Sequence, residues 1–187
     1  KLIQILEIIK ISSPYLYRVK YDKEELDEYH RLFEEWNDID YVLSFMIANK
    51  QLLDNTIWAK FSNPEEAAYQ VFEEANDLEK KFEILLENIE EGDTPDLDSH
   101  FKPLDGEFYY ITEHIPMKSY SPGRPPLLRL YAIKMGSNCY LITGGGIKLA
   151  DTIQNSPGLK DHVINNIKFV RTYLKENGIL DEDDLTE

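Results

Sequence analysis

Two neighbouring runs, residues 127–135 and 138–143, constrain the fold most, because each is apolar on both of its faces. Side chains of a strand alternate sides, so a run with little polarity on either side must be covered on both. Gly136-Ser137 between them predicts a hairpin turn with glycine first. The pair therefore belongs at the centre of a sheet. Phe108-Tyr109-Tyr110-Ile111 predicts a further strand, and residues 118–126, with three prolines and a glycine, an irregular loop. Residues 2–11 and 15–21 alternate apolar and polar around Ser12-Ser13-Pro14, which predicts two short strands or one bent one.

The cover must come from helices. Asn63-Pro64-Glu65-Glu66 supplies an N-cap, a proline at the first helical position and a capping-box glutamate. Ala67, Ala68, Val71, Phe72, Ala75, Leu78, Phe82, Leu85, Leu86 and Ile89 follow at three- and four-residue steps, ending near Glu91-Gly92. Its glutamates read as a solvated face. Asp22-Lys23-Glu24-Glu25 resembles a capping box ahead of Leu26, Tyr29, Leu32, Phe33 and Trp36. A further helix should run from Asp38 through Tyr41, Val42, Phe45 and Met46 to about Leu53, and a last one from about Gly158 to Asn177, stopped by Gly178. The expected class is α+β: a small, mainly antiparallel sheet packed with helices. Residues 1–37 would hold the first strand or strands and a helix, 38–92 an acidic helical insertion, 93–180 a basic sheet module with a terminal helix, and 181–187 a frayed acidic tail.

Charge divides along the same lines. The net charge is −15, but residues 1–100 hold 24 acidic and 10 basic side chains, residues 101–180 hold 6 and 10, and the last seven hold 5 and none. A polyanion would be repelled by the first part and tolerated or attracted by the second. The single cysteine, Cys139, forbids an intrachain disulfide and reads as a buried strand thiol, which suits the reducing cytoplasm. The opening segment is too short and too broken by Gln4 and Glu7 to read as a signal peptide, and no run is long enough to span a membrane.

Conventional catalytic motifs are missing. His30, His100, His114 and His162 are scattered without zinc-helix spacing, and no nucleophile elbow or cysteine–histidine dyad is present, so no metal and no cofactor is expected. Gly144-Gly145-Gly146-Ile147-Lys148 lacks the Walker spacing and hydroxyl; it reads as a bulge or bend where backbone packs closely. The basic residues of the second half are better candidates. Arg129 and Tyr131 share one strand face, Lys134 points the other way, and Lys148 follows the triple glycine. Arg124 and Lys118 lie in the proline-rich loop. Arginine, lysine and tyrosine together suit phosphate binding and base stacking. Metal-free RNA cleavage needs a base for the 2′-OH, cations for the phosphorane and an acid for the leaving oxygen. A lysine of depressed pKa among other cations can serve as that base. Each of these residues also has an ordinary structural reading, as an ion-paired or solubilising side chain.

The order of elements carries a resemblance. Tyr15-Leu16-Tyr17-Arg18-Val19-Lys20-Tyr21 with its following helix, the Phe101-Lys102-Pro103-Leu104-Asp105 segment, Leu128-Arg129-Leu130-Tyr131-Ala132-Ile133-Lys134, Asn138-Cys139-Tyr140-Leu141-Ile142 and Ile147-Lys148-Leu149 resemble the RelE/ParE toxin superfamily. The resemblance covers about residues 15–36 and 101–177. It implies a RelE-like antiparallel sheet with helices on one face, and a messenger-RNA endonuclease, acting on free RNA or on the ribosome, silenced by a cognate antitoxin. It would give Arg129 the phosphate-holding role, with Tyr131 and Lys148 completing the catalytic set and Arg124, Lys134 and Lys118 binding RNA. Members are shorter and basic, so residues 38–92 are an addition. Two other readings stand beside the endonuclease. One is a non-catalytic interaction module with the same fold, its acidic helices the partner surface; the other is an acidic mimic of nucleic acid.

Overall fold

A computed structural model describes residues 5–55, 61–104, 115–119 and 126–185. The expected Phe108–Ile111 strand, Arg124 and His114 lie outside them.

The fold is α+β, as the sequence patterns require. Six strands form one sheet: β1 (Ile5–Ser12), β2 (Leu16–Tyr21), β3 (Lys102–Pro103), β4 (Ile115–Ser119), β5 (Leu128–Gly136) and β6 (Cys139–Ile147). Their spatial order is β1-β2-β6-β5-β4-β3. All neighbours are antiparallel except β2 and β6, which run parallel with Leu16 to Arg18 opposite Tyr140 to Ile142. The helices are α1 (Glu28–Asn37), α2 (Ile39–Ala48), α3 (Lys50–Asn55), α4 (Pro64–Glu90), α5 (Leu97–His100) and α6 (Val163–Glu176). Among the described residues no helix is long and apolar enough to cross a membrane.

The central pair β5–β6 is covered on both sides. Leu128, Leu130 and Ala132 of β5, with Tyr140 and Ile142 of β6, share a core with Leu32, Trp36, Met46, Val71, Leu78 and Phe82 of α1, α2 and α4. The alternate residues Ile133, Met135, Cys139 and Leu141 pack with Val170 and Leu174 of α6. The expectation of helices on one face alone is corrected: a strand pair with two apolar faces needs two covers, and α6 supplies the second. The helical segment between β2 and β3 thus shares one core with the sheet.

Helix α4 begins and ends where its signals lie: Asn63 accepts from the Glu66 N–H at 2.8 Å, Pro64 is its first residue, and Gly92 turns the chain with φ of 98°. Seven stripe residues, Ala67, Ala68, Val71, Ala75, Leu78, Phe82 and Leu85, are buried. The larger ones contribute about 1.5–3 kcal/mol each by leaving water. One glutamate departs from the solvated face. Glu74 is 3% exposed, and its Oε2 accepts from the N–H groups of Leu127 and Leu128 at 2.7 and 2.8 Å, which fixes the start of β5.

Several boundaries moved for local reasons. Helix α1 starts at Glu28, not after Asp22, because Lys23 has φ of 72° and Asp27 is the actual cap, accepting from the His30 N–H. The helix expected to reach Leu53 breaks at Asn49, whose side chain donates to the Phe45 carbonyl at 2.8 Å. Residues 118 and 119 belong to β4 instead of a loop. In the β5–β6 hairpin Gly136 still pairs with Cys139, and Asn138, with φ of 55°, makes the turn. The triple glycine stays in β6: the register skips Thr143, a bulge, and a Cβ on Gly145 would lie 2.6 Å from the Arg129 carbonyl oxygen. No strand forms after Ile147 among the described residues. Residues 181–185 are not frayed, since Asp184 accepts from the Leu180 N–H at 2.7 Å and Leu185 packs on the α6-side core.

Candidate functional site

Strands β2 and β6 separate beyond Arg18 and Ile142, and the gap opens at their carboxyl ends. In sheets with parallel neighbours this is where a crevice forms and where chemistry-bearing loops gather. Here the crevice has a volume of about 520 Å³, within the range of small-molecule sites. Tyr21 and the turn Asp22 to Glu24 line one side, the first turns of α1 a second, and the start of α6 a third; Gly145, Gly146 and Gly158 form a side-chain-free floor.

Glu28, Arg31 and Glu35 recur at three- and four-residue steps and so share one face of α1. Arg31 donates from Nε and from one terminal nitrogen to the two oxygens of Glu28, at 2.9 and 2.7 Å, and its other terminal nitrogen donates to Glu35. Glu28 is buried, and burial pushes its carboxyl above the ordinary value although Arg31 opposes the shift. From α6, Asn166 donates to the Thr143 carbonyl at 3.5 Å, and that carbonyl also accepts from the Tyr21 hydroxyl at 2.6 Å. His162 Nε2 lies 3.1 Å from the Gly145 carbonyl oxygen. A carbonyl only accepts, so Nε2 carries the proton and the neutral ring keeps Nδ1 as an acceptor. The point where a Gly144 side chain would begin is 3.5 Å from Glu28 Oε1 and 3.6 Å from Asn166 Nδ2, so α1 and α6 meet over this glycine.

The residues expected to carry chemistry are placed differently. Arg129 lies opposite Gly146, and the Lys148 N–H donates to the Leu127 carbonyl at 2.7 Å, so the two sit at one end of the β5–β6 ladder. Arg129 is only 8% exposed and donates to the carbonyls of Pro126 and Leu128 at 2.6 and 2.8 Å. Tyr131 is 1% exposed among Leu104, Leu159, Val163 and Ile167, and burial pushes its hydroxyl's pKa well up. A ring so enclosed has no face for a base to stack on. Lys148 is half-buried. Lys134 is on the opposite face, paired with Asp98 at 2.8 Å, and Asp98 also accepts from the Tyr140 hydroxyl. Lys118 stands opposite Tyr131 on β4. The six candidates therefore do not line one accessible pocket.

A second cavity, about 710 Å³, lies between the later turns of α4 and the segment leading into α5. Burial lowers the pKa of Lys81 and His100 there. Asp77, Asp93 and Asp96 face Lys80 and Lys81 across it, so it holds no cationic excess for a polyanion. Among the described residues no cluster of three or more side chains could hold a metal ion.

The sequence reading missed Glu28, Arg31, Glu35, His162 and Asn166. Their one linear signal, the carboxylate–arginine–carboxylate spacing on α1, is also the spacing of an ordinary solvated helix face. Only the parallel placement of β2 beside β6 makes it the wall of a crevice. No family model, no curated protein and no solved structure matches this chain.

Proposed function

We propose that this chain is a non-catalytic interaction module on a RelE-like sheet, and that its acidic helices form the surface for a basic protein partner. One observation carries the reading. Of the six large apolar side chains exposed among the described residues, five, Ile39, Tyr41, Ile47, Tyr69 and Ile84, lie on α2 and α4. Those helices belong to a segment, residues 38–92, with thirteen acidic and four basic side chains. Apolar anchors within a field of one charge sign suit a partner of the opposite sign: the anchors supply affinity and the charges supply steering and selectivity.

The rival is the RNA-cleaving toxin with an antitoxin partner. It requires Arg129 and Tyr131 to reach a phosphate and a base, and their burial is what favours the interaction reading over it. Inducible expression of the intact chain, followed by incubation of the purified protein with a labelled transcript, separates the two. Interaction alone leaves growth undisturbed and the transcript whole. Growth arrest together with transcript cleavage, both lost in Arg129→Ala or Lys148→Ala, would restore the toxin.

A further inference from the structure

We propose that the crevice at the carboxyl ends of β2 and β6 binds an alkylguanidinium group, with Asn166 as its buried acceptor. This assignment concerns the crevice alone and does not depend on the partner surface of α2 and α4.

The central observation is an orphaned lone pair. Asn166 is 5% exposed, and its Oδ1 has no hydrogen-bond partner, although the residue lines the crevice. Its orientation is fixed by the amide nitrogen facing the Thr143 carbonyl; the flipped amide would set two oxygens against each other. Leaving such an acceptor unmet is costly, and native proteins rarely tolerate it without a role. What meets Oδ1 must be a donor. The neighbouring unfilled positions are acceptors too: Nδ1 of neutral His162 and the remaining lone pairs of Glu28.

Charge points the same way. Asp22, Glu24, Glu28 and Glu35 line the crevice against Lys23 and Arg31, an excess of two carboxylates. The starts of α1 and α6 both face it, but each helix terminus contributes only about +0.5 charge. The sum stays negative, so an anion is disfavoured and a cation favoured. Tyr21, Trp36, Tyr41 and Phe45 supply aromatic wall. A planar guanidinium stacks on such rings while its several N–H groups reach separate acceptors, and an alkyl stem fills the apolar part. The same head group comes from a free small molecule or from an arginine side chain of a protein, and the two sources need separate probes.

The test is calorimetric titration of the intact chain with agmatine, with an N-acetyl-arginine amide and with the corresponding citrulline amide, which keeps the shape without the charge. Saturable one-to-one binding of a guanidinium probe, with the citrulline compound at least tenfold weaker, is expected. Tighter agmatine marks a free metabolite as the source, and tighter arginine amide marks a protein side chain. Asn166→Leu should weaken binding about tenfold or more, the equivalent of one hydrogen bond to a charged group. Tyr41→Ala, at the exposed mouth, should weaken it severalfold and provides the reading if the Asn166 variant fails to fold. Glu87→Gln, outside the crevice on α4, should leave it unchanged. Equal binding of the citrulline amide, unaltered affinity in Asn166→Leu and Tyr41→Ala, or no saturable binding of either guanidinium probe would overturn the assignment.

Discussion

Replacing Glu74 tests how the acidic helix is fastened to the sheet. One carboxylate oxygen accepts two buried backbone N–H groups, those of Leu127 and Leu128. The other oxygen accepts from Gln70 at 3.1 Å. In Glu74→Ala both backbone donors lose their acceptor inside the core. A stranded buried donor costs about 1–3 kcal/mol, so two cost about 4 kcal/mol, before the packing lost with the side-chain methylenes. That is a large share of the 5–15 kcal/mol by which a typical domain is stable. Glu74→Gln behaves differently. Its single carbonyl oxygen can take the place of the oxygen that accepts both N–H groups, and the neutral amide avoids the burial that pushes the Glu74 carboxyl above its ordinary value. The expected loss is within about 1 kcal/mol. Urea unfolding followed by the fluorescence of Trp36, which is buried in the helical core, measures both, and the m-value should stay constant. If Glu74→Ala loses less than about 1 kcal/mol, the two bonds do not fasten the strand and the reasoning fails.

The glycines of β6 should part company in thermal unfolding. Gly145→Ala must lower Tm sharply, because its Cβ would meet the Arg129 carbonyl at 2.6 Å and Leu32 at 2.8 Å; Gly144→Ala, with contacts at 3.5 and 3.6 Å, should change little. Cys139 is enclosed and its thiol is pushed up to about 12 by burial, so a disulfide reagent at pH 8 should label it only after denaturant opens the fold. Burial of Asp27 acts to raise its carboxyl pKa, but the His30 hydrogen bonds and Arg18 outweigh it and hold the value low. Its stabilisation is therefore full above the unfolded value of about 4 and is lost as pH falls through the folded one. Asp27→Asn should cost stability at pH 7, and its gap from wild type should close in strong acid; a constant gap would show that the charge is not what matters.

How much could be read from the sequence depended on how local each cause is. Helix α4 was legible because its cap, its proline, its stripe and its glycine all lie within its own residues. The central hairpin was legible because doubly apolar strands have few alternatives. The start of α1 was misread because Asp22 and Asp27 offer equally good caps in sequence, and the left-handed Lys23 chooses between them. The cationic residues were the hardest. Arg129 and Tyr131 sit on one strand face as alternation demands, but exposure depends on the loop and helix that close over them, which no spacing encodes. Asn166 gave no signal at all. An asparagine one turn into a helix is unremarkable until the bulge at Thr143 and the parallel neighbour β2 surround it.

The claim that the acidic helices are the working surface is tested most directly by photo-crosslinking in the cells that make the protein. A benzoylphenylalanine would stand at Tyr69 or Ile84 on α4, or at the exposed Thr172 on α6. The account predicts one protein adduct from both α4 positions, weakened by raised salt as charge complementarity requires, and none from Thr172. Adducts from Thr172 alone, or crosslinked RNA in place of protein, would contradict it.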